Sequence, residues 1–188
     1  MEKKILEVAT QAIAEQGTDF TMDYLAATLN ISKRTLYQYF DSKEKLVETI
    51  VVSQIEDWSR RRTEVLAEDL NLEDKLRKYF QIHPDLFSLM LPSRIVALFR
   101  FYPSLEEKAH HIIETSWQCL EEFLVVQQKQ GLIRDIPVAA GILMIRAAAE
   151  KIFDDCPMDS EQEYVEQYLR AIVEIAIGGL LVKEEETK

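Results

Sequence analysis

Thr21 to Leu46 reads TMDYLAATLNISKRTLYQYFDSKEKL, two short helices around one tight turn. Thr21 is a good N-cap, because its hydroxyl can accept from a backbone N–H that the first helical turn leaves unpaired. Leu25, Ala26 and Leu29 then recur at helical spacing. Asn30 follows, and asparagine tolerates the left-handed backbone that a tight turn needs. Ser32 caps the next helix, Lys33 to Phe40. Asp41 or Ser42 starts a fourth, with Glu44 in a first turn where the helix dipole favours an acid. That helix is expected to run from about Lys43 to about Ala67. Leu25, Ala26, Leu29, Ile31, Leu36 and Phe40 can close one small core, and Ala26 is small where the second helix must cross. On the amino side Ile5, Val8, Ala9, Ala12 and Ile13 mark another helix, which Gly17 stops.

Beyond the fourth helix, apolar periodicity predicts helices over about 72–90, 93–101, 104–130, 137–154 and 160–182. Pro84, Pro92, Pro103, Pro137 and Pro157 mark ends, entries or kinks, and Gly131 is a C-terminal stop. Only five glycines and five prolines occur in 188 residues, which favours an all-α chain over a turn-rich β architecture. Hydrophobic residues at 47% exclude a disordered chain. No apolar run approaches the roughly 20 residues that cross a bilayer. Met1-Glu-Lys-Lys-Ile does not open a signal peptide. Cys119 and Cys156 have neither CxxC nor metal-ligand spacing and read as buried free thiols in a reducing compartment. A cytoplasmic location, without membrane association, is expected. Lys183 to Lys188 reads as a frayed polar tail.

The formal net charge is −11. Strong acidity argues against nucleic acid, so the distribution decides. Residues 1–50 hold six Lys/Arg against eight Asp/Glu; the remainder holds 16 against 25. Lys33, Arg34, Lys43 and Lys45 form a local basic cluster. The helix after Ser32 offers Lys33, Arg34, Thr35, Tyr37, Gln38 and Tyr39. Arg and Gln can read base edges through paired hydrogen bonds. Lys, Thr and Tyr suit phosphate oxygens. Thr21 and Lys43 lie at helix N-termini, where backbone N–H groups and a partial positive charge can hold a phosphate.

At these residues the stretch resembles the TetR/AcrR family of transcriptional regulators. The likeness rests on Thr21, Leu25-Ala26, the Asn30-Ile31-Ser32 turn, Thr35-Leu36-Tyr37-x-Tyr39-Phe40 and Lys43-Glu44-x-Leu46. The family pattern has Gly in the turn, where this chain has Asn30. It often has Gly before the Thr of the recognition helix, where this chain has Arg34. The resemblance implies a three-helix helix-turn-helix domain over residues 1–47 and a larger helical effector-binding and dimerisation domain over 48–188. It implies that Lys33, Arg34, Thr35 and Tyr37 face bases or nearby backbone, while Thr21, Gln38, Tyr39 and Lys43 touch phosphate. Ser32 joins them as the cap of the recognition helix. The implied partners are a double-stranded operator, a small-molecule effector and a second copy of the chain, and the usual role is repression.

No catalytic constellation appears: there is no P-loop, GxGxxG or GxSxG. A di-iron carboxylate bundle needs two Glu-x-x-His motifs, and only Glu107-x-x-His110 is present; His83 and His111 lack the Glu. Glu106, His110 and Glu114 share one helix face and read as a solvated charged surface. No metal, cofactor or enzymatic activity is expected. Phe80, Phe87, Phe99, Tyr102 and Trp117 are candidates for an apolar pocket. Arg94, Arg100 and Arg146 lie in apolar surroundings and need a counter-charge, either a ligand anion or an internal Glu, the internal partner being favoured. Arg100 and Arg146 join the pocket candidates. Ala140, Ile152, Tyr168, Ile172, Ile175 and Ala176, on the last two helices, are candidates for a two-fold interface built as a four-helix bundle. A helical carrier that has lost DNA binding, and a helical enzyme, are the competing classes.

Overall fold

The computed structural model describes residues 1–155 and 162–182. Cys156, Pro157, the start of the 160–182 segment and Lys183 to Lys188 lie outside the described residues. Among the described residues ten helices follow one another: α1 (Glu2–Gln16), α2 (Met22–Thr28), α3 (Lys33–Tyr39), α4 (Lys43–Leu66), α5 (Leu72–Gln81), α6 (Asp85–Ser88), α7 (Pro92–Phe101), α8 (Pro103–Lys129), α9 (Val138–Asp155) and α10 (Gln162–Leu180). Among the described residues the one β pairing is an isolated bridge between Ile133 and Leu181.

The starts and stops follow local chemistry. Thr21, Ser32, Ser42 and Asn71 each accept a hydrogen bond from a first-turn N–H of the helix they open. Each such cap stabilises its helix by about 1 kcal/mol. Ser42, rather than Asp41, is therefore the cap of α4. Pro92 and Pro103 sit in the first turns of α7 and α8, where a missing N–H costs nothing. The expected helix over 72–90 breaks in two. Ile82 leaves the helix with ψ 121°, and α6 begins only after Pro84. The Pro84 ring disfavours helical geometry at His83 and removes a donor from the ladder.

Two large apolar cores and a small third cluster form among the described residues. In the first, Ile5, Ala9 and Ile13 of α1 meet Leu25 and Leu36 of α2 and α3, and Leu46, Val47, Ile50, Val51 and Ile55 of α4. Leu86, Met90, Leu98, Tyr102, Leu105 and Ala109 continue it, so α6, α7 and the start of α8 belong to the same packing unit as the helix-turn-helix. The second core collects Val65, Leu76, Tyr79, Leu120, Leu124, Ile142 and Ile177 from α4, α5, α8, α9 and α10. Fully burying each Leu or Ile stabilises by about 1.5–3 kcal/mol. Tyr79 is buried with its hydroxyl satisfied: it donates to the Ser116 carbonyl at 3.0 Å. Arg77 of α5 grips Glu174 of α10 through Nε at 2.8 Å and Nη2 at 2.9 Å.

The turn between α2 and α3 depends on Asn30, the only described non-glycine residue with positive φ, at 53°. Replacing Asn30 with Ala should destabilise the protein by about 1 kcal/mol, because a Cβ disfavours this conformation and Ala cannot compensate locally. Asn30→Gly should stay within about 0.5 kcal/mol of the parent. Urea unfolding of the two variants separates backbone strain from loss of a side-chain contact.

Candidate nucleic-acid interface and an apolar cavity

Helix α3 is held by its inward side. Leu36 and Phe40 are buried in the first core, while Lys33, Arg34, Tyr37, Gln38 and Tyr39 are exposed. Ser32 accepts from the Thr35 N–H at 3.0 Å, and its hydroxyl shares a 2.8 Å hydrogen bond with the Thr35 hydroxyl. Thr21 accepts from the Tyr24 N–H at 3.1 Å.

The basic cluster is less free than its composition suggests. Lys33 pairs with Asp23 of α2 at 2.9 Å, and that hydrogen bond raises its pKa. Lys45 pairs with Glu48 at 2.7 Å. Lys43 donates to the Thr18 carbonyl at 2.6 Å, with its ammonium 4.4 Å from the centre of the Phe20 ring. Burial lowers its pKa. Lys43 thus fastens the start of α4 to the α1–α2 loop. Of the four cations, Arg34 alone has no partner among the described residues.

A cavity of about 400 Å³ lies deeper, walled by α4 to α10. Its volume falls within the usual range for small-molecule sites. Of the sequence candidates, Phe80, Phe87, Phe99 and Trp117 line it. Arg100, Tyr102 and Arg146 do not. Arg100 is exposed, one helical step of about 100° from Phe99. Tyr102 is buried in the first core at the α7–α8 junction. Arg146 holds Glu114 of α8 through both terminal guanidinium nitrogens, Nη1 and Nη2. That pair is the internal partner the sequence favoured. Among the described residues no group of three or more His, Cys, Asp or Glu side chains is placed to hold a metal.

Sequence reasoning missed Arg62, Ile82, His83 and Pro84 in the cavity wall. Arg62 hides within Arg60-Arg61-Arg62, but Ile55, Arg62 and Val65 share the buried stripe of α4. A charge on an apolar stripe is the signal that could have found it. The His83 loop is fastened to α4: Trp58 Nε1 donates to the Ile82 carbonyl at 2.9 Å, and Arg61 donates to the His83 carbonyl at 3.0 Å.

The interface candidates divide. Ala140, Tyr168 and Ile175 are exposed, Ile175 at 70%, beside Leu143 at 68%. Ile152 is half-buried. Ile172 lines the cavity. Ala176, at 1% exposure, packs in a core cluster with Ile145 and Leu180. Residues 168, 172, 175 and 176 span about 100° of the α10 circumference, and the edge of the packed surface falls within that span, leaving 168 and 175 outside it and 172 and 176 inside. Ala176 is therefore interior to its own chain.

Three side chains of α7 and α8 tie the cavity helices to α1 and to the first turns of α4. Arg94 of α7 donates to the carbonyls of Ala14, at 3.2 Å, and Glu15 at the C-terminus of α1. Ser104 at the start of α8 donates to Glu44 at 2.9 Å, and Lys108 meets Glu48 at 2.6 Å.

An amino-terminal helix-turn-helix on a helical body defines the class of helix-turn-helix regulators. Residues 5–50 match the family described as bacterial regulatory proteins, tetR family. The chain is 27% identical over 186 residues, 98% of each sequence, to the uncharacterized HTH-type transcriptional regulator YvaF of Bacillus subtilis (strain 168). Solved structures share the fold. One, described as a transcriptional regulator from Saccharomonospora viridis in complex with choline, has a TM-score of 0.78 and 15% identity over 97% of this chain and 98% of that one. The TetR family regulator PfmR from Thermus thermophilus gives 0.69 and 20% over 93% and 97%. The amino-terminal family match, the full-length HTH-type relative and the shared fold together support a DNA-binding transcriptional regulator of the TetR family. No described helix is long and apolar enough to cross a membrane.

Burial lowers the pKa of His83, and Arg62 lowers it further, against an opposing pull from Glu166. The folded state therefore binds this proton less well than the unfolded chain. Stability from His83 is present above the ordinary histidine pKa of about 6.5 and falls as pH drops below it. A His83→Gln variant should lose that part of the decline in melting temperature between about pH 6.5 and 5.5. Thermal scans across the window test this, and parallel curves for the two proteins would remove His83 as the source.

Proposed function

We propose that the protein is a homodimeric repressor that a small-molecule effector releases from a near-palindromic operator. The observation that carries the reading is an exposed polar face on α3, with Arg34 unpaired among the described residues, joined by one continuous helix to an apolar cavity. Residues 1–47 form the DNA-binding domain and 48–188 the effector and dimerisation domain. Arg34 and Gln38 read base edges. Lys33, Thr35 and Tyr37 face bases or adjacent backbone. Thr21, Ser32 and Tyr39 contact phosphate. Lys43 contributes chiefly by holding the α4 N-terminus, with whatever donor capacity its bond to Thr18 leaves for phosphate. The exposed Ala140, Leu143, Tyr168 and Ile175 pair with the same face of a second copy. This role involves no catalysis.

The effector acts through the helices that meet both sites. Ile55, Trp58 and Arg62 place α4 in the cavity wall, and Ile95 and Phe99 do the same for α7. A ligand that favours a different placement of these helices changes the hold of Arg94 on α1 and of Lys108 on Glu48. DNA affinity then falls, provided the ligand binds the DNA-incompetent state more tightly.

Selection from a random duplex pool tests the DNA reading. An inverted repeat with half-sites about 34 Å apart, or a multiple of one helical turn, is expected. Arg34→Ala with Gln38→Ala should lower affinity for that site about tenfold or more and leave melting unchanged, since both side chains are solvent-facing. Failure of folded protein to enrich any sequence at low salt would favour a carrier instead. For the dimer, Leu143→Lys with Ile175→Lys should halve the mass seen in light scattering and weaken operator binding. A parent protein that is already monomeric would remove the two-fold reading.

A further inference from the structure

The cavity wall contains a buried cation. Arg62 is 3% exposed, yet it lines the space. Its guanidinium carbon stands 3.8 Å from the centre of the Tyr79 ring, 4.5 Å from Trp58, 5.2 Å from Trp117 and 5.5 Å from Phe80. Burial lowers its pKa to about 10, so it stays charged at neutral pH. Among the described residues it forms no ion pair and donates no hydrogen bond, and its Nε is buried without an acceptor. Its neighbours are provided for. Arg60 holds Asp57 and Glu64, and Arg61 holds Asp57 and Asp85. A chain with 33 Asp/Glu against 22 Lys/Arg leaves this arginine without a carboxylate among the described residues.

Ring faces attract the charge of a guanidinium, but they cannot replace the paired acceptors its planar fork is shaped for. Leaving a buried donor unsatisfied is costly, so the missing acceptors have a reason to come from elsewhere. Ile55, Phe87, Ile95, Phe99 and Val165 make the adjoining wall apolar. His83 lies in the same wall with its pKa lowered, and its neutral ring offers a hydrogen bond without a second charge. Glu166 also reaches the cavity, acts on His83 and is engaged within the chain.

We infer that the cavity takes an amphipathic monoanion: a carboxylate seated on the Arg62 fork, with an aliphatic or aromatic body along the apolar walls. This rests on the effector reading above and names its ligand class. One cation in the wall matches one negative charge. The faces of Trp58, Tyr79, Phe80 and Trp117 are already turned to Arg62, whose charge works against a quaternary ammonium beside them.

Trp58 and Trp117 are the only tryptophans, and both line the cavity, so intrinsic fluorescence reports occupancy directly. The full chain is titrated with decanoate, decanol and decyltrimethylammonium below their micelle concentrations. Decanoate should bind at least about tenfold more tightly than decanol, the scale of hydrogen bonds to a charged group. Arg62→Met should erase that advantage and leave decanol binding within about twofold. Arg62→Lys should keep part of it. Equal binding of decanoate and decanol by the parent, an advantage that survives Arg62→Met, or tightest binding of the ammonium would each overturn the anion assignment while leaving the cavity a ligand site. Binding of none of the three by folded parent protein would remove the effector cavity itself. If Arg62→Met fails to fold by circular dichroism, the parent ranking and Arg62→Lys decide the matter.

Discussion

One continuous helix has to satisfy two neighbourhoods. At 24 residues α4 is about 36 Å long, and a rod of that length cannot flex locally without breaking its own hydrogen bonds. Its first half buries Leu46, Val47, Ile50 and Val51 against the helix-turn-helix, and its last turns bury Val65 against α5 and α8. Between them Ile55, Trp58 and Arg62 face the cavity. Because the helix is unbroken, a shift at Arg62 is also a shift at the cap on Ser42, next to α3. The rest of the molecule is packed around this rod.

The surrounding contacts make the linkage stiff in some directions and soft in others. Apolar packing between α4 and α8 resists separation, since every exposed Å² costs about 25 cal/mol. The polar ties at Arg94, Ser104 and Lys108 are directional, and they sit near the surface where solvent can replace them at little cost. Sliding or rotation of α7 and α8 relative to α1 and α4 is therefore easier than pulling them apart. A regulator needs that asymmetry: two placements of similar energy rather than one deep minimum.

Arg62 is the tension in the design. An apolar residue of similar volume would fill the same space without a desolvated charge. The four rings around it offset part of that cost, and none of them accepts the full set of donors. Local conflicts of this kind concentrate at functional positions, because elsewhere nothing repays them.

The helix-turn-helix is legible in the chain almost residue by residue. Thr21, Ser32 and Asn30 act within three or four positions of themselves, through caps and a backbone angle, so no distant partner is needed to read them. The same holds for the inward Leu36 and Phe40 and for the extent of α4. Which charges are spoken for emerges only once the helices pack. Lys43 is answered by Thr18, Arg94 by the end of α1, Arg146 by Glu114, and Arg62 by no acceptor among the described residues. Packing also sets which side of α10 is free, turning Ala176 inward and Ile175 outward. Periodicity gives the angle between two residues on a helix, but not the direction in which that helix faces its neighbours. That direction is set by contacts between elements tens of residues apart.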